Sequence, residues 1–264
     1  MNTAKNIDSF FRSLHGSEIL HLDTGESLRG GQKQLLLLME ALADRGARSA
    51  LVCRKGPLAD NARARGVNVL ELPLRGEWDL FSARMIARQA ARWNAALVHV
   101  HDSRCHGLAR LSQLFGMDKP LVVHRRVIFP IRRGYLNRRK YLRRVSAYVA
   151  ISKAVASQLE SFGVPPEKIH GVPDSVDVEK LTREAGFQWP SGVPSPQPEE
   201  KLLTCLGALE RQKGQEFLMA CVPEIIDRYS NVKVYFLGEG PDRDRLERMA
   251  SQLGIAAKCI FTGY

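Results

Sequence analysis

Short apolar segments alternate with amphipathic ones from residue 18 onward, and this alternation constrains the fold more than any other feature of the chain. Strands are expected over Glu18–Asp23, Ser49–Cys53, Asn68–Leu72, Ala96–His101, Leu121–His124, Ala147–Ile151 and Ile169–Val172. Helices are expected between them, over Gln32–Arg45, Pro57–Arg65, Leu80–Trp93, Gly107–Leu114, Tyr135–Val145 and Lys153–Ser161. In the first helix Leu35, Leu36, Met39 and Leu42 recur at helical spacing, and Gly46 stands where a C-terminal cap belongs. Strands apolar on both faces and joined through helices imply an α/β fold with a doubly wound parallel sheet.

The pattern breaks once and restarts. Trp189–Pro198 holds four prolines in ten residues, a density that neither a helix interior nor a central strand accepts. A linker over 186–200 therefore separates an N-terminal domain, 1–185, from a second α/β domain, 201–264. The second carries strands over Lys201–Leu206, Val232–Leu237 and Cys259–Thr262, with helices over Gln215–Tyr229 and Asp242–Leu253. Three strands are few for a finished doubly wound domain, so the sequence reads as a piece of a longer two-domain protein. Residues 1–17 have no period and read as a loose arm.

Composition removes several classes. At 44% hydrophobic and 25% charged residues, the chain is ordinary for a soluble globular protein and unlike a disordered or collagen-like one. Its longest aliphatic run, Leu35–Met39, is far short of the about 20 apolar residues a bilayer span needs. No signal-length apolar stretch occupies the first 25 residues. Cys53, Cys105, Cys205, Cys221 and Cys259 are odd in number and lack CxxC spacing, as expected for free thiols in a reducing cytosol. Charge is the informative quantity. Thirty-nine basic against 28 acidic residues give +11, which favours polyanionic partners: nucleic acid, anionic lipid or phosphorylated substrates. Nine of the basic residues and no acid lie between Arg125 and Arg144.

Three loops at strand ends are candidate ligand sites. Gly30-Gly31 leads from the first strand into a helix, where glycines allow close approach and a helix N-terminus offers free N–H groups. It is not the GxGxxG dinucleotide signature. Gly207–Gly214 makes the same passage in the second domain, with Arg211 and Lys213 placed to meet a diphosphate; it lacks the P-loop signature. Gly238-Glu239-Gly240-Pro241 is read either as a ligand-lining turn or as a tight turn that needs its glycines. His99 and His101 alternate along one strand and so share a face. With Asp102 and His106 they raise a metal, but a fuller ligand set is usual, and no metal site is assigned.

Together these segments resemble a family. Gly30-Gly31 before a Leu-rich helix, Val149–Ser152, Val172–Asp177, the Gly207–Gln215 loop, Leu237–Pro241 and Phe261–Gly263 are similar to the retaining GT-B glycosyltransferases of family 4. The resemblance spans about Glu18 to Tyr264 and is most specific in the C-terminal part. It implies two Rossmann-like domains, the N-terminal one taking the acceptor and the C-terminal one most of a nucleotide-sugar. It also implies no cofactor and no divalent metal, because basic side chains and helix N-termini neutralise the leaving diphosphate. By this resemblance Gly30, Gly31, Arg211, Lys213, Gly238 and Gly240 bind the donor, and His124 stands near the sugar. Its implied role is orientation or charge stabilisation.

Two departures stand out. The family's usual arginine after Gly207 is Ala208 here, which moves that phosphate contact toward Arg211. The family's pair of donor-binding glutamates, with seven residues between them, falls beyond Tyr264.

The basic run has three readings. The first is a solvated face. The second is an acceptor or anionic-membrane surface made of Arg125, Arg126, Arg138, Arg139, Arg143 and Arg144. The third is nucleic-acid contact, and no helix-turn-helix, RRM or zinc-finger pattern accompanies the charge. Ile128, Phe129, Ile131, Tyr135, Leu136 and Tyr141 interleave with the basic residues, as an interfacial segment requires. The leading expectation is a cytoplasmic glycosyltransferase, peripheral on the inner membrane face, moving a sugar from a nucleotide-sugar to a glycan or glycolipid with retention. The alternative is a non-catalytic GT-B-like module that holds a glycan or an anionic lipid surface.

Overall fold

A computed structural model gives the fold and describes residues 15–184, 189 and 191–263. Most of the expected arm (residues 1–14), residues 185–188, Pro190 and Tyr264 lie outside the described residues. The chain divides into two compact units, Met1–Val176 and Asp177–Tyr264.

In the first unit the strands are β1 (Glu18–Asp23), β2 (Arg48–Cys53), β3 (Asn68–Glu71), β4 (Leu97–Val100), β5 (Leu121–Arg125), β6 (Ala147–Ala150) and β7 (Ile169–Gly171). The helices between them are α1 (Gly30–Ala43), α2 (Pro57–Ala64), α3 (Leu80–Arg92), α4 (Ser103–Ser112), α5 (Tyr135–Leu142) and α6 (Lys153–Phe162). The strands form one sheet in the order β3-β2-β1-β4-β5-β6-β7, and every pairing is parallel. Strand order reverses between β1 and β4, and open α/β sheets bind ligands at the carboxyl ends beside such a reversal.

Side-chain parity sorts the strands into two faces. Leu20, Leu22, Val52, Val98, Val100, Val123 and Tyr148 pack with Ile86, Leu108, Tyr141 and Leu159 from α3–α6. On the opposite face Leu51 and Cys53 pack with Leu35, Leu36 and Met39 of α1 and Leu58 of α2. His21 aligns with Leu51 and with His99 in the strand register, so the histidines of β1 and β4 share the second face.

Among the helix bounds that differ from expectation, two have clear local reasons. α4 starts at Ser103 rather than Gly107, because the Asp102 carboxylate accepts the Cys105 N–H at 2.9 Å and caps it. α5 stops at Leu142 rather than Val145. Arg143 is extended there and Arg144 left-handed at φ 52°, turning the chain so that Val145 is buried at the entry to β6.

The second unit holds α7 (Val178–Glu184), β8 (Lys201–Leu206), α8 (Gln215–Arg228), β9 (Val232–Leu237), α9 (Arg243–Gln252) and β10 (Cys259–Gly263). Its sheet is parallel in the order β10-β9-β8. Leu209, Met219, Val222, Val234, Phe236 and Leu246 form its core. Residues 191–200 carry no helix or strand, yet they do not stand free. Trp189 Nε1 donates to Val193 O at 2.9 Å, Tyr235 Oη donates to Pro194 O at 2.8 Å, and the Trp189 and Tyr235 rings meet edge to face at 5.6 Å. The division between the units falls ahead of this stretch, which packs on β9.

Phe236 is fully buried and stacks on Phe261 with centroids 4.9 Å apart. Phe236→Ala is expected to cost about 3–5 kcal/mol in denaturant unfolding. Leu206→Ala, at a side chain 85% exposed, should stay within about 0.5 kcal/mol.

Candidate functional site

At the carboxyl edge of the first sheet four imidazoles lie side by side. His21 from β1, His99 from β4, His101 just past β4 and His124 from β5 are all buried. Ring centroids are 4.2 Å apart for His99–His101 and 5.3 Å for His21–His101. His124 lies 5.7 Å from both His99 and His101, stacked on the former at 3°. Parallel register produces this cluster, since equivalent positions on neighbouring strands sit abreast.

The cluster continues into charged groups. Asp23 accepts the Gly25 N–H at 2.7 Å and the Gln32 amide at 3.0 Å. Asp102 accepts the Thr24 N–H at 2.7 Å as well as capping α4. Arg126 donates from Nη1 to His101 Nδ1 at 3.3 Å and faces the Asp174 carboxylate at 3.5 Å from Nε. Burial, and then the neighbouring Asp102, raise the Asp23 carboxyl above its ordinary value. Burial also lowers all four imidazoles, with His99 and His124 brought down to about 3; Arg126 adds to the effect on both. They are therefore neutral at pH 7. His99 Nε2 and both ring nitrogens of His124 are buried without a hydrogen-bond partner, an uncommon condition for a buried polar group.

Each expected site residue can be located. Gly30 and Gly31 form the first turn of α1, two residues earlier than the expected helix start. Nothing lies within 4 Å of where a Gly30 Cβ would stand, and the Arg126 side chain lies 3.8 Å from that position at Gly31.

Of the residues expected on an acceptor or membrane surface, Arg125 and Arg126 do not stand on the exposed face, Arg125 being 8% exposed and the Arg126 side chain 12%. Arg125 points to the face covered by α3–α6, donating to Tyr141 Oη at 3.0 Å, Phe129 O at 2.6 Å and Gln158 Oε1 at 2.8 Å. Arg126, the next residue, turns to the histidine face because successive strand side chains alternate. Arg138, Arg139, Arg143 and Arg144 are exposed.

His106 does not join His99 and His101. It is buried in α4 and pairs with Lys140 O at 3.1 Å, edge-on to Tyr141. His21 takes its place: one ring nitrogen from each of His21, His99 and His101 lies within 4.8 Å of the others. Arg126, a pure donor, faces His101 where a metal-binding imidazole would present its own N–H to an acceptor. His21 was missed as a site residue because it sits inside an apparently ordinary strand, and Arg126 was named only as part of the basic surface, not as a partner of the histidines. The signal available was parity: His21, His99, His101, His124 and Arg126 fall on one face once the strand register is assigned.

In the second unit the two glycine loops lie together. Gly207 N–H donates to Leu237 O at 2.9 Å and Leu209 N–H to Glu239 O at 3.0 Å. A Cβ on Gly238 would strike Gly207 O, and one on Gly240 would strike Leu209 O; close packing of two backbones therefore requires both glycines. Arg211 and Lys213 are exposed on a single 3-10 turn leading into α8.

Unfolding frees His21, His99, His101, His106 and His124 to titrate near 6.5. Below that pH the unfolded chain binds more protons, so stability falls with pH, by up to about 1.4 kcal/mol per pH unit for each imidazole. The raised Asp23 acts in the opposite sense at more acid pH, but it is one group. Tm should drop steeply from pH 7.5 to 5.5, and His99→Gln should flatten the slope; a level Tm over that interval contradicts the assignment.

Comparison with known proteins matches residues 28–180 to the family model described as Glycosyltransferase Family 4, and residues 192–264 to Glycosyl transferases group 1. A glycosyltransferase of Methanocaldococcus jannaschii is 32% identical over 123 residues, 44% of this chain and 30% of the relative. The GDP-mannose-dependent alpha-(1-6)-phosphatidylinositol monomannoside mannosyltransferase of Mycolicibacterium smegmatis is 27% identical over 112 residues, 42% of this chain and 29% of the relative. The matches thus span under a third of these relatives. Anabaena HepE, solved in complex with UDP and glucose, superposes with a TM-score of 0.73 at 16% identity, covering 94% of this chain and 69% of that one. The fold is GT-B.

Proposed function

Since the chain belongs to glycosyltransferase family 4, we propose that it serves the transfer of a sugar from a nucleotide-sugar to a glycan or glycolipid acceptor, with retention of configuration. The observation that carries this reading is His124: a neutral imidazole, buried at the carboxyl edge, with both nitrogens unpartnered. Buried polar groups without partners are costly, and a sugar hydroxyl supplies both a donor and an acceptor. Held neutral, His124 orients the sugar by hydrogen bonding rather than by positive charge.

Lys213, Arg211 and the N-terminus of α8 would take the diphosphate and neutralise the charge that develops as the donor bond breaks. In this reading they do so without a divalent cation. Gly30 and Gly31 leave room for the donor phosphates at α1. The M. smegmatis relative is named for GDP-mannose and the Anabaena neighbour was solved with UDP, so the base is left to experiment. A thermal-shift screen of UDP-, GDP- and ADP-sugars on the full-length protein tests the reading. One donor should raise Tm, and Lys213→Ala should weaken its binding by about 1.5–3 kcal/mol. The absence of any donor shift would refute it.

The acceptor side of the reading is a membrane-borne glycolipid. Among the described residues no helix is long and apolar enough to cross a membrane. Trp78, Leu114, Tyr135 and Leu136 are exposed together along a groove of about 570 Å³, with Arg110, Arg139 and Lys140 beside them. Exposed apolar groups rimmed by cations suit an anionic interface, each basic residue adding about 1 kcal/mol. Replacing Arg138, Arg139, Arg143 and Arg144 by Gln should leave Tm nearly unchanged, because exposed charges contribute little to stability. The same change should release the protein from anionic vesicles in co-sedimentation. Binding insensitive to both the substitutions and salt removes the membrane from the reading.

A further inference from the structure

Arg126 does more than the basic run of which it is a member. Its guanidinium can only donate, so the contact from Nη1 at 3.3 Å makes His101 Nδ1 the acceptor. A neutral His101 then carries its proton on Nε2, which faces His21 Nδ1 at 3.1 Å. His21 in turn carries its proton on Nε2, toward Ser49 Oγ at 3.5 Å. One tautomer at each ring satisfies the whole series, and donation runs in one direction from Arg126 to Ser49.

The other edge of the guanidinium is poorly matched. Its Nε is buried without a hydrogen bond, and Asp174 stands at 3.5 Å, beyond the about 2.7–2.9 Å of a good charge-assisted bond. Only 12% of the Arg126 side chain is exposed, so water does not make up the difference cheaply. The nearby carboxylates are engaged elsewhere: Asp23 with Gly25 and Gln32, Asp102 with Thr24 and Cys105. Beside Arg126, the first turn of α1 holds no acidic residue, and space is open at Gly30.

We propose that Arg126 receives a substrate oxyanion, a phosphate or carboxylate, and that His101 and His21 are positioning residues that hold its guanidinium for it. The proposal rests on the transferase reading only for the word substrate. The oxyanion belongs either to the donor diphosphate or to the acceptor, and the two sources are separable.

Inorganic phosphate is the probe, followed by phosphorus NMR line broadening on the full 264-residue chain. A background of Arg211→Ala and Lys213→Ala silences the second unit. Arg126→Gln should weaken phosphate binding by about tenfold or more, while Arg126→Lys keeps part of it. His101→Leu should weaken binding, and His101→Asn, whose Oδ1 can accept in place of Nδ1, should restore it at unchanged Tm. Phosphate binding that is absent or indifferent to Arg126 overturns the proposal; binding that depends on Arg126 but ignores His101→Leu overturns its positioning half. In the protein with unit 2 intact, phosphate displaced from Arg126 by UDP or GDP identifies the donor as the source, and phosphate retained beside bound nucleotide identifies the acceptor. A chain that binds phosphate through Arg126 yet responds to no nucleotide-sugar upholds this proposal and defeats the transferase reading.

Discussion

Because β1 pairs in parallel with β2 on one side and β4 on the other, the loops that follow β1 and β4 must leave their shared edge in opposite directions. Open α/β sheets take ligands where such loops part, and the residues that end those strands are the ones placed to meet them. Asp23, Thr24 and the first turn of α1 come from one strand; His101, Asp102 and α4 come from the other. The Thr24–Asp102 bond ties them across the gap. Arg126 reaches this edge from β5 only because strand alternation turns it, and not Arg125, toward the histidine face. A one-residue slip in β5 would exchange the two and bury the wrong guanidinium.

Burying four imidazoles on one face has an energetic cost that hydrophobic residues at the same places would not incur. The opposite face shows the alternative: Leu20, Leu22, Val98 and Val100 close a dry core. Local rules of folding are broken here, at the carboxyl edge, and kept almost everywhere else in the first unit, which is the usual sign of a site kept for chemistry. In the second unit the balance differs. Gly238 and Gly240 are required by the close packing of two backbones, and Arg211 and Lys213 stand exposed on the neighbouring loop.

Much of this architecture is legible in the sequence for a physical reason: two-sided burial forces apolar runs, and helices between them force parallel pairing. Every strand of the first unit lies where an apolar run was read, and Gly46 and Gly163 close helices in the left-handed conformation or beside it. Side-chain direction was harder to read. Arg125 and Arg126 are adjacent and chemically identical, and only the register separates a residue bonded to Tyr141 from one bonded to His101. His21 was unreadable for the same reason, since its partners are 28 and 80 residues away. The proline-rich stretch was readable as irregular but not as packed, because its anchor, Tyr235, belongs to a later strand.

The direction of the hydrogen bonds running from Arg126 through His101 and His21 to Ser49 has a mechanical meaning. A row of imidazoles is a familiar conduit for protons, each ring accepting on one nitrogen and releasing from the other. Such a conduit must be able to reverse, and it needs an end that gives up or takes a proton near neutral pH. Here the first member is a guanidinium, which has no lone pair to offer and keeps its protons throughout that range. The row therefore acts as a brace: it carries orientation from a half-buried hydroxyl to a cation, and conducts nothing.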